Sequence, residues 1–308
     1  MGQILSALTP KLRKAGGLCA AMGNFDGVHI GHQKLLEETR RQAKIAGLPS
    51  AVITFDPHPL KLLRPDIALT LIKTEKQKQH LILSLAIENL IVLPFTRMLS
   101  QLTPQQFVEE VIVDALRVRV LFVGEDFRFG HGRAGGLAEL KKFGAPHGLQ
   151  VRPARPVKVR GRAVSSSWIR ELIGAGDMTL ARKLLGRPYY LEGTVIGGDH
   201  RGRALGFPTA NLLIENELYP RYGVYATRVW LRGRPHPAVT NVGLRPTFAG
   251  GRAPLIETHI PGFSGNLYGH AMSLEFLKFL RPEEKFSGPE ALMKQIAKDT
   301  AAALKVRV

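Results

Sequence analysis

The sequence predicts an α/β domain with a parallel, doubly wound sheet, followed by an antiparallel β-barrel with one C-terminal helix. The first half alternates short apolar, β-branched runs with amphipathic stretches, which is the pattern of βαβ units. From Tyr190 onward, Gly, Pro and Asn turns separate the apolar runs, as in antiparallel sheets. The change of character near residues 186–188 predicts two domains, 1–186 and 187–308.

Each element follows from local periodicity, with a repeat near 3.6 for helices and apolar, β-branched runs for strands. In the first half, the predicted strands are residues 18–22, 51–55, 90–93, 120–123 and 149–152, and the predicted helices are residues 33–46, 75–86, 104–116 and 137–143. In the second half, the predicted strands are residues 224–231, 238–242, 255–260 and 271–280, and the predicted helix is residues 290–304.

Composition predicts a soluble cytoplasmic protein without a membrane partner. The chain has 308 residues, 44% of them hydrophobic and 22% charged, which suffices for two domains with their own cores. We find no apolar run of the roughly 18 residues that span a membrane and no signal-peptide core of about 7 to 15 apolar residues. Cys19 is the only cysteine, which excludes an intrachain disulfide and a cysteine-based zinc site.

The net charge of +18 indicates an anionic partner. The basic residues are spread over both halves, and aromatic residues make up only 7% of the chain, which is poor for stacking on bases. We therefore expect small phosphorylated ligands and no nucleic acid, since a basic surface attracts such ligands by itself. A homo-oligomer is compatible with the sequence.

The most informative segment is residues 23–33, GNFDGVHIGHQ, between the first predicted strand and the first predicted helix. Its glycines let a ligand approach the backbone, and a helix start offers free N–H groups and a positive dipole end. His29 and His32 add donors at the same place, while Asn24 and Asp26 are expected to hold the turn or a sugar. The segment predicts a site for nucleotide phosphates. The alternative is a buried histidine pair satisfied by backbone carbonyls.

This segment is similar to the His-x-Gly-His signature of the nucleotidyltransferase superfamily, here His29-Ile30-Gly31-His32. The resemblance implies a Rossmann-like nucleotidyltransferase domain that places imidazoles against the triphosphate of ATP and transfers the adenylyl group. The nucleotide-binding positions that it implies in this turn are Gly23, Asn24, Phe25, Asp26 and Gly31.

A run of hydroxyls, Ser165-Ser166-Ser167, precedes Arg170 at the start of a further helix. Such hydroxyls cap helix N–H groups, but three of them with an arginine also suit a phosphate clamp. Together with the segments at 56–59 and 124–130, the run resembles the rest of a flavin adenylyltransferase site. The resemblance implies nucleotide binding by Ser166 and Ser167, catalysis by Arg170, and flavin binding by His58, Asp126, Phe127, Arg128 and Phe129. Two departures from the pattern are the bulky Trp168 and Gly136, where relatives often have an aspartate.

The second half carries its own signature, including GRALGFPTAN at 202–211, NVGLRPT at 241–247, ETH at 257–259 and LRPE at 280–283. The combination and order resemble the riboflavin kinase domain. The resemblance implies that Glu257 is the general base and that Thr209 and Asn211 bind Mg²⁺ and phosphate. It also implies nucleotide binding at Gly206 and Pro208 and flavin binding at Arg281.

Over the whole chain, the sequence resembles the prokaryotic bifunctional riboflavin kinase/FAD synthetase family. The resemblance implies riboflavin, ATP, FMN and FAD as ligands, with Mg²⁺ and no tightly bound prosthetic group. The ribityl hydroxyl needs a base and a metal, whereas the phosphate of FMN is already an anion, so its adenylylation depends on positioning and charge stabilisation. Two rival hypotheses are a class I aminoacyl-tRNA synthetase relative and an RNA-binding protein with an OB-like barrel. The first would need a Lys-Met-Ser-Lys-Ser-like segment, which this sequence lacks.

Overall fold

The structure, a computed structural model, describes residues 16–197, 206–231, 233–246 and 252–306. The chain divides into two units, Met1–Ser165 and Ser166–Val308. This division assigns residues 166–186 to the second unit, whereas the predicted domain limits assign them to the first. The limits of the two functional domains stay a prediction. Residues 202–205 and Thr247 of the second signature lie outside the described residues.

The first unit is built on a parallel sheet with the strand order β3-β2-β1-β4-β5. All five predicted strands of this half are confirmed, with ends that differ by up to two residues. The strands are β1 Leu18–Met22, β2 Ser50–Asp56, β3 Asn89–Pro94, β4 Val118–Gly124 and β5 Gln150–Ala154, and a small hairpin adds β6 Lys158–Val159 and β7 Arg162–Ala163. β1 is buried throughout because its alternating side chains enter hydrophobic clusters on both faces of the sheet.

The predicted helices of the first unit are present as α1 Ile30–Ala46, α3 Glu75–Leu83, α5 Pro104–Gln106 and α6 Leu137–Gly144. α1 ends at Gly47, whose φ of 64° closes the helix with a left-handed residue. α5 continues as a π-helix over Phe107–Ala115, which sequence periodicity does not indicate. The short helices α2 Pro59–Leu63 and α4 Arg97–Gln101 were not predicted, because five residues are too few to show a helical period.

The second unit is a closed antiparallel barrel with the order β10-β11-β12-β9-β8-β13. The four predicted strands correspond to β10 Gly223–Leu231, β11 Arg234–Pro246, β12 Arg252–His259 and β13 Ala271–Arg281, and the predicted final helix is α9 Pro289–Leu304. Two strands were missing from the prediction, β8 Tyr189–Ile196 and β9 Thr209–Ile214. Two helices precede the barrel, α7 Ser166–Ala175 and α8 Met178–Leu185, and α8 packs against β8 and β13.

The barrel interior holds large rings and a chain of hydroxyls. Phe276 packs against Tyr225 with ring centroids 5.1 Å apart. Thr240 exchanges hydrogen bonds with Thr227 at 2.8 Å and Thr258 at 2.9 Å, so the buried hydroxyls satisfy one another. In the part of the chain that the structure describes, no helix combines the length and the apolar composition needed to cross a bilayer.

Candidate active sites

The first candidate site is the turn from β1 into α1. His29 caps α1, its Nδ1 accepting the backbone N–H of His32 at 3.3 Å. Neutral His29 therefore carries its proton on Nε2, which makes that atom a donor. The two imidazole rings stack with centroids 3.6 Å apart. A Cβ at Gly31 would lie 3.1 Å from the ring of His29, so the glycine keeps room for this ring.

Two buried residues of this turn have strained backbones. Phe25 has φ of 52° and Val28 has φ of 41°, in the left-handed region that bulky and β-branched residues avoid. The N–H of Val28 donates to the carbonyl of Phe25 at 3.0 Å, and the ring of Phe25 meets that of His32 edge-on at 5.2 Å. Strain of this kind persists where the surroundings fix it and concentrates at functional sites.

Asp26 ties the turn to the segment that precedes α3. Its buried carboxylate accepts the backbone N–H groups of Ile72 at 3.0 Å and Lys73 at 3.4 Å. Gly27, with φ of 80°, lies so close to Ile72 that a Cβ would come within 2.9 Å of that side chain. Asp26 thus holds the turn, and its contact with a sugar stays a prediction.

The other predicted residues of the first unit flank the carboxyl ends of β2 and β4. His58 caps α2 by accepting the N–H of Leu60 at Nδ1, 3.2 Å away. Asp126 and Arg128 are exposed, and the guanidinium of Arg128 occupies the place where a Cβ at Gly136 would stand. Gly136 therefore makes room for Arg128. Phe129 is buried in the hydrophobic core, which indicates a packing role, while flavin binding by these side chains stays a prediction.

Ser166, Ser167 and Arg170 lie in α7, the first helix of the second unit. Ser167 is exposed, Ser166 and Arg170 are half-buried, and Trp168 is buried with 7% of its surface accessible. The residues predicted for one adenylyl site are therefore divided between the two units. Their action on a common nucleotide stays a prediction.

The second candidate site lies on the outer face of the barrel. Glu257 of β12 is directly opposite Asn211 of β9 and Asn241 of β11. Directly opposed residues in antiparallel strands point to the same side of the sheet, so two amides flank the carboxylate. Thr258, the next residue, belongs to the opposite face and is fully buried. The half-buried carboxylate of Glu257 is thus placed on the side of the barrel that substrates can reach.

The strand before this site is held by His259. Thr209 of β9 lies directly opposite His259, and the Nδ1–H of His259 donates to the carbonyl of Pro208 at 3.0 Å. The ring of Phe207 meets that of His259 edge-on at 5.4 Å. Gly206 has φ of 80°, which a glycine adopts at low cost. These contacts fix the segment that leads into Thr209.

The donor set around β9 fits Mg²⁺. The Thr209 hydroxyl and the Asn211 side-chain oxygen are hard ligands on one face of the strand, next to Glu257. Mg²⁺ in nucleotide-dependent enzymes takes few protein ligands and shares substrate phosphates, so a small set of oxygens suffices. No group of three or more His, Cys, Asp or Glu side chains suited to a metal occurs among the described residues.

Arg281 is engaged with the final helix. Its guanidinium donates from Nη2 to Asp299 Oδ2 at 2.9 Å and from Nε to the same carboxylate, and Asp299 is buried. The Nη1 group donates to the carbonyl of Pro282 at 3.0 Å. This geometry anchors α9 to β13. Flavin binding by Arg281 stays a prediction.

Comparison with known proteins decides the family. A family model described as FAD synthetase matches residues 12–168, and one described as riboflavin kinase matches residues 185–307. The bifunctional riboflavin kinase/FMN adenylyltransferase of Pseudomonas fluorescens is 38% identical over 287 residues, which cover 93% of this chain and 92% of the relative. The chain belongs to this bifunctional family.

A second relative agrees with this assignment, and one solved structure shares the fold. The bifunctional riboflavin kinase/FMN adenylyltransferase of Escherichia coli strain K12 is 36% identical over 288 residues, covering 93% of this chain and 92% of the relative. A crystal structure of a Streptococcus pneumoniae protein, described as a macrolide-efflux protein, has a TM-score of 0.88 at 28% identity and covers 99% of this chain and 98% of that one. The enzyme is a riboflavin kinase and FMN adenylyltransferase, with the adenylyltransferase domain first and the kinase domain second.

Sequence reasoning assigned no role to several polar residues at these sites. Asn241 and His259 stand within quoted motifs, but their contacts depend on strand pairing. The amide of Asn241 donates to Glu283 at 3.2 Å, which joins two motifs that are distant in the chain. Asn241 and Glu257 lie on two predicted strands, but their pairing depends on the register of these strands, which the sequence does not give.

Proposed function

We propose that the first unit contributes the histidine pair to adenylyl transfer from ATP to FMN. The developing charge there falls on the α-phosphate and the leaving pyrophosphate, so the reaction needs fixed donors. The Nε2–H of His29, the ring of His32 and the start of α1 supply donors and positive potential on one turn. In this proposal Ser166, Ser167 and Arg170 add the remaining phosphate contacts.

The kinase proposal rests on one observation, the flanking of Glu257 by Asn211 and Asn241 on the outer barrel face. A carboxylate held between amides accepts the proton of the ribityl 5′-hydroxyl as that oxygen attacks the γ-phosphate of ATP. Thr209 and Asn211 would hold Mg²⁺, which neutralises phosphate charge when bound. Gly206 and Pro208 shape the approach to the nucleotide.

The ligands in this proposal are riboflavin, ATP, FMN and FAD, with Mg²⁺ and no prosthetic group. We propose that the enzyme acts in the cytoplasm, because both reactions consume ATP. The absence of a nucleic-acid partner is also proposed, since the basic charge is spread over the chain.

The test is separate loss of the two activities. His32→Ala should lower FAD formation from FMN by about 100- to 1000-fold, the usual cost of one donor to a developing charge, and leave FMN formation from riboflavin unchanged. His80→Ala is the matched control, because His80 is exposed on α3. Equal loss of both activities in folded His32→Ala protein would refute the assignment of the pair to adenylyl transfer.

A further inference from the structure

A buried ammonium group lies behind the β1–α1 turn. Lys78 of α3 is only 7% exposed, which is rare for a lysine. Its Nζ lies 2.8 Å from Glu75 Oε2, 3.3 Å from Thr54 Oγ1 and 3.4 Å from the carbonyl oxygen of Phe55. Thr54 and Phe55 belong to the end of β2, so the ammonium lies at the carboxyl edge of the sheet, where ligands of this fold bind.

The hydroxyl of Thr54 passes this contact on to the turn. Thr54 Oγ1 donates to the backbone carbonyl of Asn24 at 3.3 Å. A hydroxyl has one proton and an ammonium has only donors, so Thr54 must accept from Lys78 while it donates to Asn24. The direction of both hydrogen bonds is therefore fixed, from Lys78 through Thr54 to Asn24. Thr54 is fully buried, so water does not replace either partner.

A hydrogen bond to the carbonyl of Asn24 fixes the peptide group at the strained part of the turn. This carbonyl belongs to the peptide group directly before Phe25, the residue with φ of 52°. A bond to this carbonyl restrains rotation about the strained torsion. The carbonyl of Phe25 then accepts the N–H of Val28, which precedes the capping residue His29. Orientation of the peptide after Asn24 is thereby linked to the position of the histidine pair.

We propose that Lys78 is a positioning residue for adenylyl transfer, acting through Thr54 on the Asn24–Phe25 peptide. The proposal rests on the assignment of this turn to the nucleotide. Without the chain of bonds, the strained turn relaxes and the imidazoles leave their places against the phosphates. Misplacement by about 1 Å can cost roughly 100-fold in rate. Glu75, with 28% of its side chain exposed, balances the lysine charge from the solvent side.

The test compares Thr54→Val with Thr54→Ser. The valine has nearly the same shape but no hydroxyl, whereas the serine keeps the hydroxyl. Thr54→Val should lower kcat or raise the KM for ATP in FAD formation, so that kcat/KM falls by about 10- to 100-fold. Thr54→Ser should keep kinetic constants near those of the wild type. Riboflavin phosphorylation by the same protein is the internal control. A purely structural role would lower the melting temperature and leave both kinetic constants unchanged in the folded protein.

Lys78→Met and Lys76→Met form the second matched pair, since Lys76 is exposed on the same helix. Lys78→Met should reproduce the kinetic defect, whereas Lys76→Met should not. The effects of Thr54→Val and Lys78→Met should be non-additive in the double variant, because both substitutions break the same series of hydrogen bonds. If Lys78→Met does not fold, the Thr54 pair decides. Wild-type FAD kinetics in folded Thr54→Val would overturn the inference while leaving the His32 assignment intact. Full FAD synthesis by His32→Ala would instead overturn the proposed site.

Discussion

Glu257 and Asn211 are direct cross-strand neighbours on the outer face of the barrel. Asn211 is only 6% exposed, so its amide has a fixed place beside the carboxylate. This pairing brings a proton acceptor next to one of the two side chains expected to bind the metal. The relation is unchanged by the movement of loops, since both residues lie inside paired strands.

Glu257→Gln keeps the size of the side chain but removes its capacity to take up a proton. Kinase turnover should fall by about 100- to 10,000-fold, while FAD formation from supplied FMN should continue. Product chromatography with each substrate in turn measures both effects. Rapid phosphorylation of riboflavin by the variant would assign the base role to another group.

Fragments that begin at residues 166 and 187 should differ in stability. Ile173, Met178 and Leu184 of the two leading helices are buried, and the N–H of Arg221 donates to the carbonyl of Ile173 at 3.2 Å. We expect both fragments to phosphorylate riboflavin, with a melting temperature about 5 °C or more higher for 166–308, since each buried apolar side chain is worth roughly 1.5–3 kcal/mol. Calorimetry on the two fragments checks this, and equal melting temperatures would show that the helices do not stabilise the barrel.

Asp299→Asn should weaken the attachment of α9. The side chains of Arg281 and Asp299 are 15% and 8% exposed, so loss of one charge leaves the other buried. Breaking such a pair costs roughly 3–5 kcal/mol. Urea unfolding should show a loss of this order. Glu284→Gln is the control, because Glu284 approaches Arg281 only at 3.8 Å and is half exposed.

Alkaline pH should destabilise the first unit through Cys19. Burial raises the pKa of this thiol from 9.0 to about 11, and the charge of Arg152 acts in the opposite direction. Because the folded pKa is the higher one, the contribution is fully present below pH 9 and is lost as pH rises towards 11. Between pH 9 and 10 the loss is about 1 kcal/mol. The free energy of unfolding of Cys19→Ala in urea should decline less over this interval, and an identical decline would show that Cys19 does not cause the effect.

The first unit was readable from sequence because its signals are local. β1 is an unbroken apolar run, and Gly47 marks the end of α1 where periodicity ends. The barrel was harder. β8 contains Gly193 and β9 follows Pro208, and both residues are typical of turns. Closure of the barrel also depends on pairings between strands that are distant in the chain.

The sequence indicates the candidate site residues better than it indicates the residues that contact them. His29 is visible in the spacing of its motif, whereas the role of Glu257 is implied by the family resemblance. Lys78 gave no signal, because a lysine on a short helix is normally solvated and only the approach of Thr54 and Phe55 reveals its burial. Phe129, predicted to bind the flavin, lies in the core, where its ring centroid is 5.4 Å from that of Phe107.

The threonine hydroxyls and the aromatic rings pack against one another inside the barrel, so the inner and outer faces of the barrel have separate roles. Residues that hold the fold point inward, whereas Ile196 and Leu213, 39% and 61% exposed, lie on the same outward face as Asn211. Directed evolution of flavin-analogue selectivity can therefore sample Ile196 and Leu213, while Thr209 and Asn211 on the same face are kept for the nucleotide and the metal. The inward positions, which set the thermal tolerance of the scaffold, need not be touched.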